Sequence, residues 1–284
     1  MKTVVTFLVF LFSTVSFAQD FQGKAYYFSK TGMDMNFGGR EMSAERKKQI
    51  ADRMKSAFEK TYVLTFDKSA STYKEDVQLD APGGGSGRWV GRMASFSSAN
   101  YYKDVNDGSY YDQREFFGKN FLIKDSLPKL EWKMVNETKK IGNYTCFKAT
   151  AIKKQDAIDW RSMRRGRGRD TAGAKNDSVN KAVEEGQVPA EIEVVAWYTP
   201  EIPVNQGPGE YWGLPGLILE VQADRTTLLC TKIVLNAKEK DVIAKPSKGK
   251  EVTQKEFDDI TKKKTEEMRE QFGGRNRGGR GRPN

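Results

Sequence analysis

Histidine is absent from the 284-residue chain, and only two cysteines occur, Cys146 and Cys230. The first absence excludes Ser-His-Asp and Cys-His catalysis, zinc sites built on histidine and haem held by a histidine ligand. Two cysteines alone cannot make a structural zinc site or an iron–sulfur cluster. Apolar residues are scarce at 37%, against 30% charged, a balance that expects an ordered core joined to solvated segments. Proline is rare and concentrated: four of the nine, Pro200, Pro203, Pro208 and Pro215, fall together. What remains for chemistry is carboxylate, lysine, tyrosine, serine and threonine. No catalytic constellation, cofactor motif or metal motif is legible, and the chain reads as leaning away from an enzyme.

Long apolar runs are missing too, except at the start. Lys2 precedes "VVTFLVFLFSTV", which is too short for a stable membrane helix, and "SFA" supplies the small residues of a cleavage site. Residues 1–18 therefore read as a signal peptide cut after Ala18. A lipid-anchored product needs cysteine after the cut, where Gln19 stands. The expectation is an exported protein, periplasmic or extracellular, not lipid-anchored and without a transmembrane segment after cleavage. An oxidising compartment permits a Cys146–Cys230 disulfide. Two buried free thiols are the alternative, because bridge geometry cannot be read from spacing.

The body of the chain is patterned for strands. "QGKAYYFSKTGM" opens it, and from Thr61 to Ala151 apolar residues recur with period two, as in "TYVLTFDK", "NYYKDV", "SYYDQREFFG" and "NYTCFKATAI". Turn signals such as "NDGS" and "KKIGN" separate the segments. The pattern resumes in "AEIEVVAWYT", "LILEVQAD" and "TTLLCTKIVLNAKE". These features predict a mainly β fold with minor α: one curved, mostly antiparallel sheet, in preferred form a half-barrel, spanning 19–152 and 189–250. A helix over Ser43–Lys60, with Ser43 as N-cap and Ile50, Met54 and Phe58 on one side, is expected to pack on it. Residues 251–272 predict a charged helix. Residues 153–188 read as a mobile basic insertion and 273–284 as a disordered arginine–glycine tail.

One stretch stands apart, "AWYTPEIPVNQGPGEYWGLPGLILEV", residues 196–221. Proline fixes φ and donates no backbone hydrogen bond, so no central strand can run between Thr199 and Gly216. Only Leu217 and Leu219 share strand parity, which leaves Leu214 to fold back with the turn over the core. This segment resembles the signature of the GLPGLI family of exported, Bacteroidetes-type proteins. The name motif is intact from Gly213 through Leu214, Pro215, Gly216 and Leu217 to Ile218. The lead-in carries Trp197, Pro200 and Pro203, and "NYTCFKATA" around Cys146 is similar to the segment that precedes it in the family. The resemblance implies an exported, mainly β protein of a family whose role is not established, and it brings no catalytic residues. The motif with Tyr211 and Trp212 then has two readings: a core-closing turn, or an exposed aromatic contact for a partner.

The net charge is +10, and loss of Lys2 with the leader makes it +9. Much of it sits in Arg164, Arg165, Arg167 and Arg169 and in Arg275, Arg277, Arg280 and Arg282. Guanidinium groups bind phosphate, which an exported protein meets on anionic lipid headgroups. Three function classes follow. The first is an exported, non-enzymatic binding or envelope-associated module with a protein or lipid partner. The second is a nucleic-acid binder acting through its arginine–glycine segments, which export disfavours. The third is a carboxylate-dependent hydrolase using Glu201 and Glu210, for which no spacing rule speaks. "DVNDGSYYD" lacks the oxygen pattern of a calcium loop, and "APGGGSG" lacks the ending of a phosphate loop.

Overall fold

The computed structural model describes residues 21–32, 58–76, 100–154 and 191–274, with 43, 45, 46, 48 and 49 between them. Twelve strands are described: β1 (Gln22–Thr31), β2 (Glu59–Asp67), β3 (Ala70–Glu75), β4 (Asn100–Asp104), β5 (Ser109–Phe116), β6 (Lys119–Ser126), β7 (Lys133–Ile141), β8 (Tyr144–Lys154), β9 (Glu191–Thr199), β10 (Leu217–Ala223), β11 (Thr226–Leu235) and β12 (Lys250–Val252). One helix, α1 (Gln254–Gly274), ends the described chain. The strands form a single open sheet in the order β12-β6-β5-β4-β3-β2-β1-β11-β10-β9-β8-β7. Every pairing is antiparallel except β12 on β6, so the sheet is mixed.

Short hairpins build most of it, as the turn signals predict. Phe117 and Gly118, at φ 51° and 71°, join β5 to β6 as a two-residue loop. Such a turn twists with the strands and requires positive φ at both positions. The sequence break at β1 is a crossover: β1 lies between β2 and β11 and so ties the two halves of the chain into one sheet.

Cross-strand partners share a face, so the register traces one surface across ten strands. It runs from Ile123 through Asp112, Tyr101, Tyr73, Leu64 and Ala25. From Ser29 of β1 it continues through Leu228, Val221 and Ala196 to Ala149. Most of these side chains are buried. Helix α1 covers the β6 end of the sheet, where Phe257 packs edge-on against Phe116 and Phe121. Its start is a reciprocal cap: Thr253 Oγ1 accepts from the Glu256 amide, and Glu256 Oε2 accepts from the Thr253 amide at 2.8 Å.

The segment between β11 and β12 straps the opposite face. Asp241 pairs with Lys24 of β1, and Lys245 lies over the rings of Tyr102 and Tyr111 on β4 and β5. That path delivers β12 beside β6 in the parallel sense.

The expected N-terminal helix packed on the sheet is not borne out. Glu59 and Lys60, at its expected end, belong to β2, where pairing with β1 captures them. Ser43 Oγ does accept from the Arg46 amide, at 3.4 Å, but the described residues 45, 46, 48 and 49 are exposed. Lys153 and Lys154, placed in the insertion by sequence pattern, extend β8 in register with β9. The leader 1–18, most of the insertion and the tail from 275 onward lie outside the described residues. Among the described residues, no helix is long and apolar enough to cross a membrane.

Candidate functional site: the turn from Thr199 to Gly216

β9 ends at Thr199 and β10 begins at Leu217, where the prolines and glycines require it. The connection is knitted to itself. Tyr211 N–H donates to Pro208 O, Gly213 N–H to Asn205 O, Leu217 N–H to Ile202 O and Ile218 N–H to Gln206 O, at 3.0–3.1 Å. Pro200, Pro203 and Pro215 are exposed, whereas Tyr211, Leu214, Gly216, Leu217 and Ile218 are buried and Trp212 is half-buried. Leu217 and Leu219 enter the main core cluster, while Leu214 and Ile218 join a second cluster with Ala149, Val194, Ala196 and Tyr211. Leu214 has therefore folded back over the sheet, and both it and Leu217 are fully buried. A bulge between Ile218 and Glu220 places Leu219 and Glu220 opposite the single residue Trp197.

The turn lies across the face traced above. Gln206 Oε1 accepts from Ser71 Oγ of β3 at 2.9 Å. Lys103 of β4 sends its ammonium into the turn, 2.6 Å from Gly207 O, 2.7 Å from Gly209 O and 3.4 Å from Tyr211 O. Glu210 binds Lys153 of β8 at 2.7 Å. Gly209 and Glu210 are adjacent residues, yet their partners stand on β4 and β8, seven strand steps apart. A flat sheet would separate those strands by about 34 Å, at about 4.8 Å per step. The sheet is therefore strongly curved, and the turn stoppers its concave side.

Two indole hydrogen bonds hold the far end. Trp212 Nε1–H donates to Pro128 O at 2.7 Å, and Trp132 Nε1–H donates to Trp212 O at 2.8 Å. Both partners come from the β6–β7 connection. Trp197, grouped with the motif by sequence, is buried in the main core cluster with Leu217 and Leu219, and Lys139 stands 4.3 Å above its ring and also pairs with Glu220.

Burial shapes the titrations here. It pushes the phenols of Tyr27, Tyr73 and Tyr101 well above 10, and Tyr27 O–H donates to Ile218 O at 2.6 Å. Burial pulls the Lys103 ammonium down to about 7, with nearby Glu210 opposing it. Glu201 accepts the Thr145 amide and Glu210 holds Lys153, so the two carboxylates of the hydrolase reading serve separate partners. Among the described residues no cluster of acidic or cysteine side chains could hold a metal ion.

Cys146 and Cys230 are both free thiols, buried in the same apolar cluster. They sit on β8 and β11, with β9 and β10 between them in the sheet. Burial pushes the first thiol up to about 11 and the second to about 12. Arg164, Arg165, Arg167, Arg169, Arg275, Arg277, Arg280 and Arg282 lie outside the described residues. Sequence reasoning missed Lys103 altogether. In "NYYKDV" it is one more lysine in a strand, and only the turn folding over β4 buries it. The "TQKE" run that starts α1 was legible as a capping box and would have set the helix start.

Fold and site together define a curved, open β-sheet stoppered by its own Gly/Pro-rich turn. Residues 132–220, which contain that turn, match the model of a family described as a protein of unknown function, Porph_ging. No curated protein matches the chain. Among solved structures it is similar to PNGF-II in two crystal forms, C2 and P21, at 12% identity and TM-score 0.45 in each. The matches cover 84% of this chain and 32% and 33% of the PNGF-II chains, so it spans about a third of their length.

Proposed function

We propose that the chain is an exported, non-enzymatic module of the GLPGLI type that associates with anionic headgroups at an envelope surface. The observation that carries this reading is where the polar groups of the signature turn go. Gly207 O and Gly209 O accept from Lys103, and Trp212 O accepts from Trp132. These carbonyls are thus taken up within the fold, and the support for an anionic partner is the net charge of +10, or +9 without Lys2. Helix α1 is docked through Phe257, and the sequence runs from its end straight into Arg275, Arg277, Arg280 and Arg282. Each arginine near an anionic surface contributes about 1 kcal/mol, screened by salt.

Co-sedimentation with lipid vesicles tests it. The mature protein should pellet with vesicles containing anionic lipid, not with zwitterionic ones, and high salt should release it. Removing residues 275–284 should weaken binding while leaving the melting temperature in place. Equal binding to both vesicle types, or none, overturns the reading. Preference for single-stranded RNA over anionic vesicles at the same salt would favour the nucleic-acid reading, which the arginine–glycine pattern also allows.

A further inference from the structure

We propose that the tip of the β5–β6 hairpin is an interfacial anchor: Phe117 enters the headgroup boundary of an anionic lipid layer, and lysines beside it hold the phosphates. Phe117 is 46% exposed, and its backbone is left-handed, at φ 51°. The two-residue loop requires positive φ there, and asparagine is the side chain that meets the requirement with least strain. The other two non-glycine residues with positive φ among those described, Asp224 and Asn236, are of types that tolerate it. Of the exposed large apolar side chains among those described, Phe117 alone stands on such a backbone. Its ring meets Phe116 edge-on, with centroids 4.6 Å apart, which sets its direction but leaves much of it in water. A phenylalanine that is both strained and exposed is explained by neither turn chemistry nor core packing.

The charges around the tip suit the same partner. Lys119 follows Gly118 and is exposed. β12 runs parallel to β6 with Lys250 opposite Phe121, and Gly249 lies against the main chain of Asn120 and Phe121. The chain therefore enters β12 from the tip side, which brings Lys248 and Lys250, both exposed, to that end of the sheet. These lysines outnumber the exposed carboxylates beside them, Glu115 and Glu251. Helix α1 starts where the Gln254 amide donates to Asp125 Oδ2, and its Phe257 packs on Phe116 and Phe121. It thus leads toward the tip, and the arginines of the proposed envelope contact follow it in sequence.

The anchor rests on the proposed envelope association and adds a second element to it. Attraction between basic side chains and lipid phosphate is screened by salt. Burial of an apolar ring is not. Binding at the headgroup boundary scales with the apolar area buried plus the attraction to anionic lipid, and the hairpin tip offers both at one place.

Co-sedimentation of the mature protein with vesicles of phosphatidylglycerol and phosphatidylcholine in equal parts tests it. Phe117→Asn should lower vesicle affinity by about tenfold, the lower end of what burying a phenylalanine ring contributes. It should leave the slope of the salt dependence unchanged. Its melting temperature should hold or rise, because asparagine relieves the left-handed strain. Lys119→Gln with Lys248→Gln should flatten the salt slope instead. Phe117→Trp should bind as the wild type does, and lipid brominated in its acyl chains should quench the added emission. Unchanged affinity in Phe117→Asn, an unaltered slope in the lysine variant, or unquenched emission in Phe117→Trp overturns the anchor and leaves the envelope association standing. A wild-type protein that ignores these vesicles overturns both. Should Phe117→Asn melt lower, quenching in Phe117→Trp decides.

Discussion

Gly216 lies so close to the main-chain carbonyl of Thr199 that a Cβ at this position would overlap its carbon and oxygen. The contact is between backbones, at the point where β9 leaves the sheet and β10 enters it, so no side chain can rotate away. Gly216→Ala should cost at least about 1–3 kcal/mol, the range for overpacking that forces backbone shifts. Gly213 is held to glycine for a different reason. Its φ is 92°, and a Cβ there would meet only Trp132 Nε1, at 4.0 Å. Gly213→Ala should cost about 1–2 kcal/mol, from backbone strain alone. Urea denaturation of both variants checks the order.

Leu214 and Leu217 have no exposed surface and belong to different apolar clusters. Truncation of either to alanine should cost about 2–5 kcal/mol. Trp212→Phe keeps most of the ring packing but removes the hydrogen bond to Pro128 O, and should cost about 0.5–1.5 kcal/mol. Unchanged denaturation midpoints for all three would refute a core-closing motif. Loss of vesicle binding without loss of stability in Trp212→Phe would instead mark the indole as a contact.

The two thiols should be silent in the native protein and reactive after unfolding. Both are buried, and burial pushes them up to about 11 and about 12, so the reactive thiolate is scarce at neutral pH. Labelling without reductant should modify neither cysteine natively and both in denaturant. Labelling that appears only after reduction would reveal a bridge between β8 and β11.

Stability should rise and then fall as pH increases above neutrality. Lys103 binds its proton less tightly when folded, so the unfolded chain holds more protons between about 7 and 10.5. By linkage, stability climbs over that interval. Tyr27, Tyr73 and Tyr101 have the opposite sign. Their folded values lie well above 10, so only the unfolded chain ionises them and stability is lost above pH 10. Denaturation midpoints measured across the alkaline range should pass through a maximum, with the rising limb absent in Lys103→Met. Absorbance of tyrosinate should show a group of phenols that ionise only with unfolding.

Much of the sheet was written in local pattern. Period two with Tyr, Phe and Val at alternate positions marks β1, β4, β5 and β8, and "NDGS" and "KKIGN" mark two of the hairpins. Prolines 200, 203, 208 and 215 forbid ladder pairing, so the limits of the turn follow from backbone chemistry alone. The expected helix over 43–60 shows where local pattern fails. Glu59 and Lys60 suit the end of a helix, but β1 offers them a ladder, and a tertiary partner outweighs a weak intrinsic preference.

By itself, the amino-acid sequence determined that this protein is mainly β, that its chain breaks strand at Thr199 and resumes it at Leu217, and that neither histidine chemistry nor a cysteine cluster is open to it. Those properties depend on the covalent identity of each residue and on neighbours a few positions away. Tertiary structure alone places the partners of Gly209 and Glu210 on β4 and β8 and buries Lys103. Each of these depends on how far a twelve-stranded sheet curves and on what then lies across its concave side. Curvature accumulates over many strand pairs, and no local stretch of sequence records the sum.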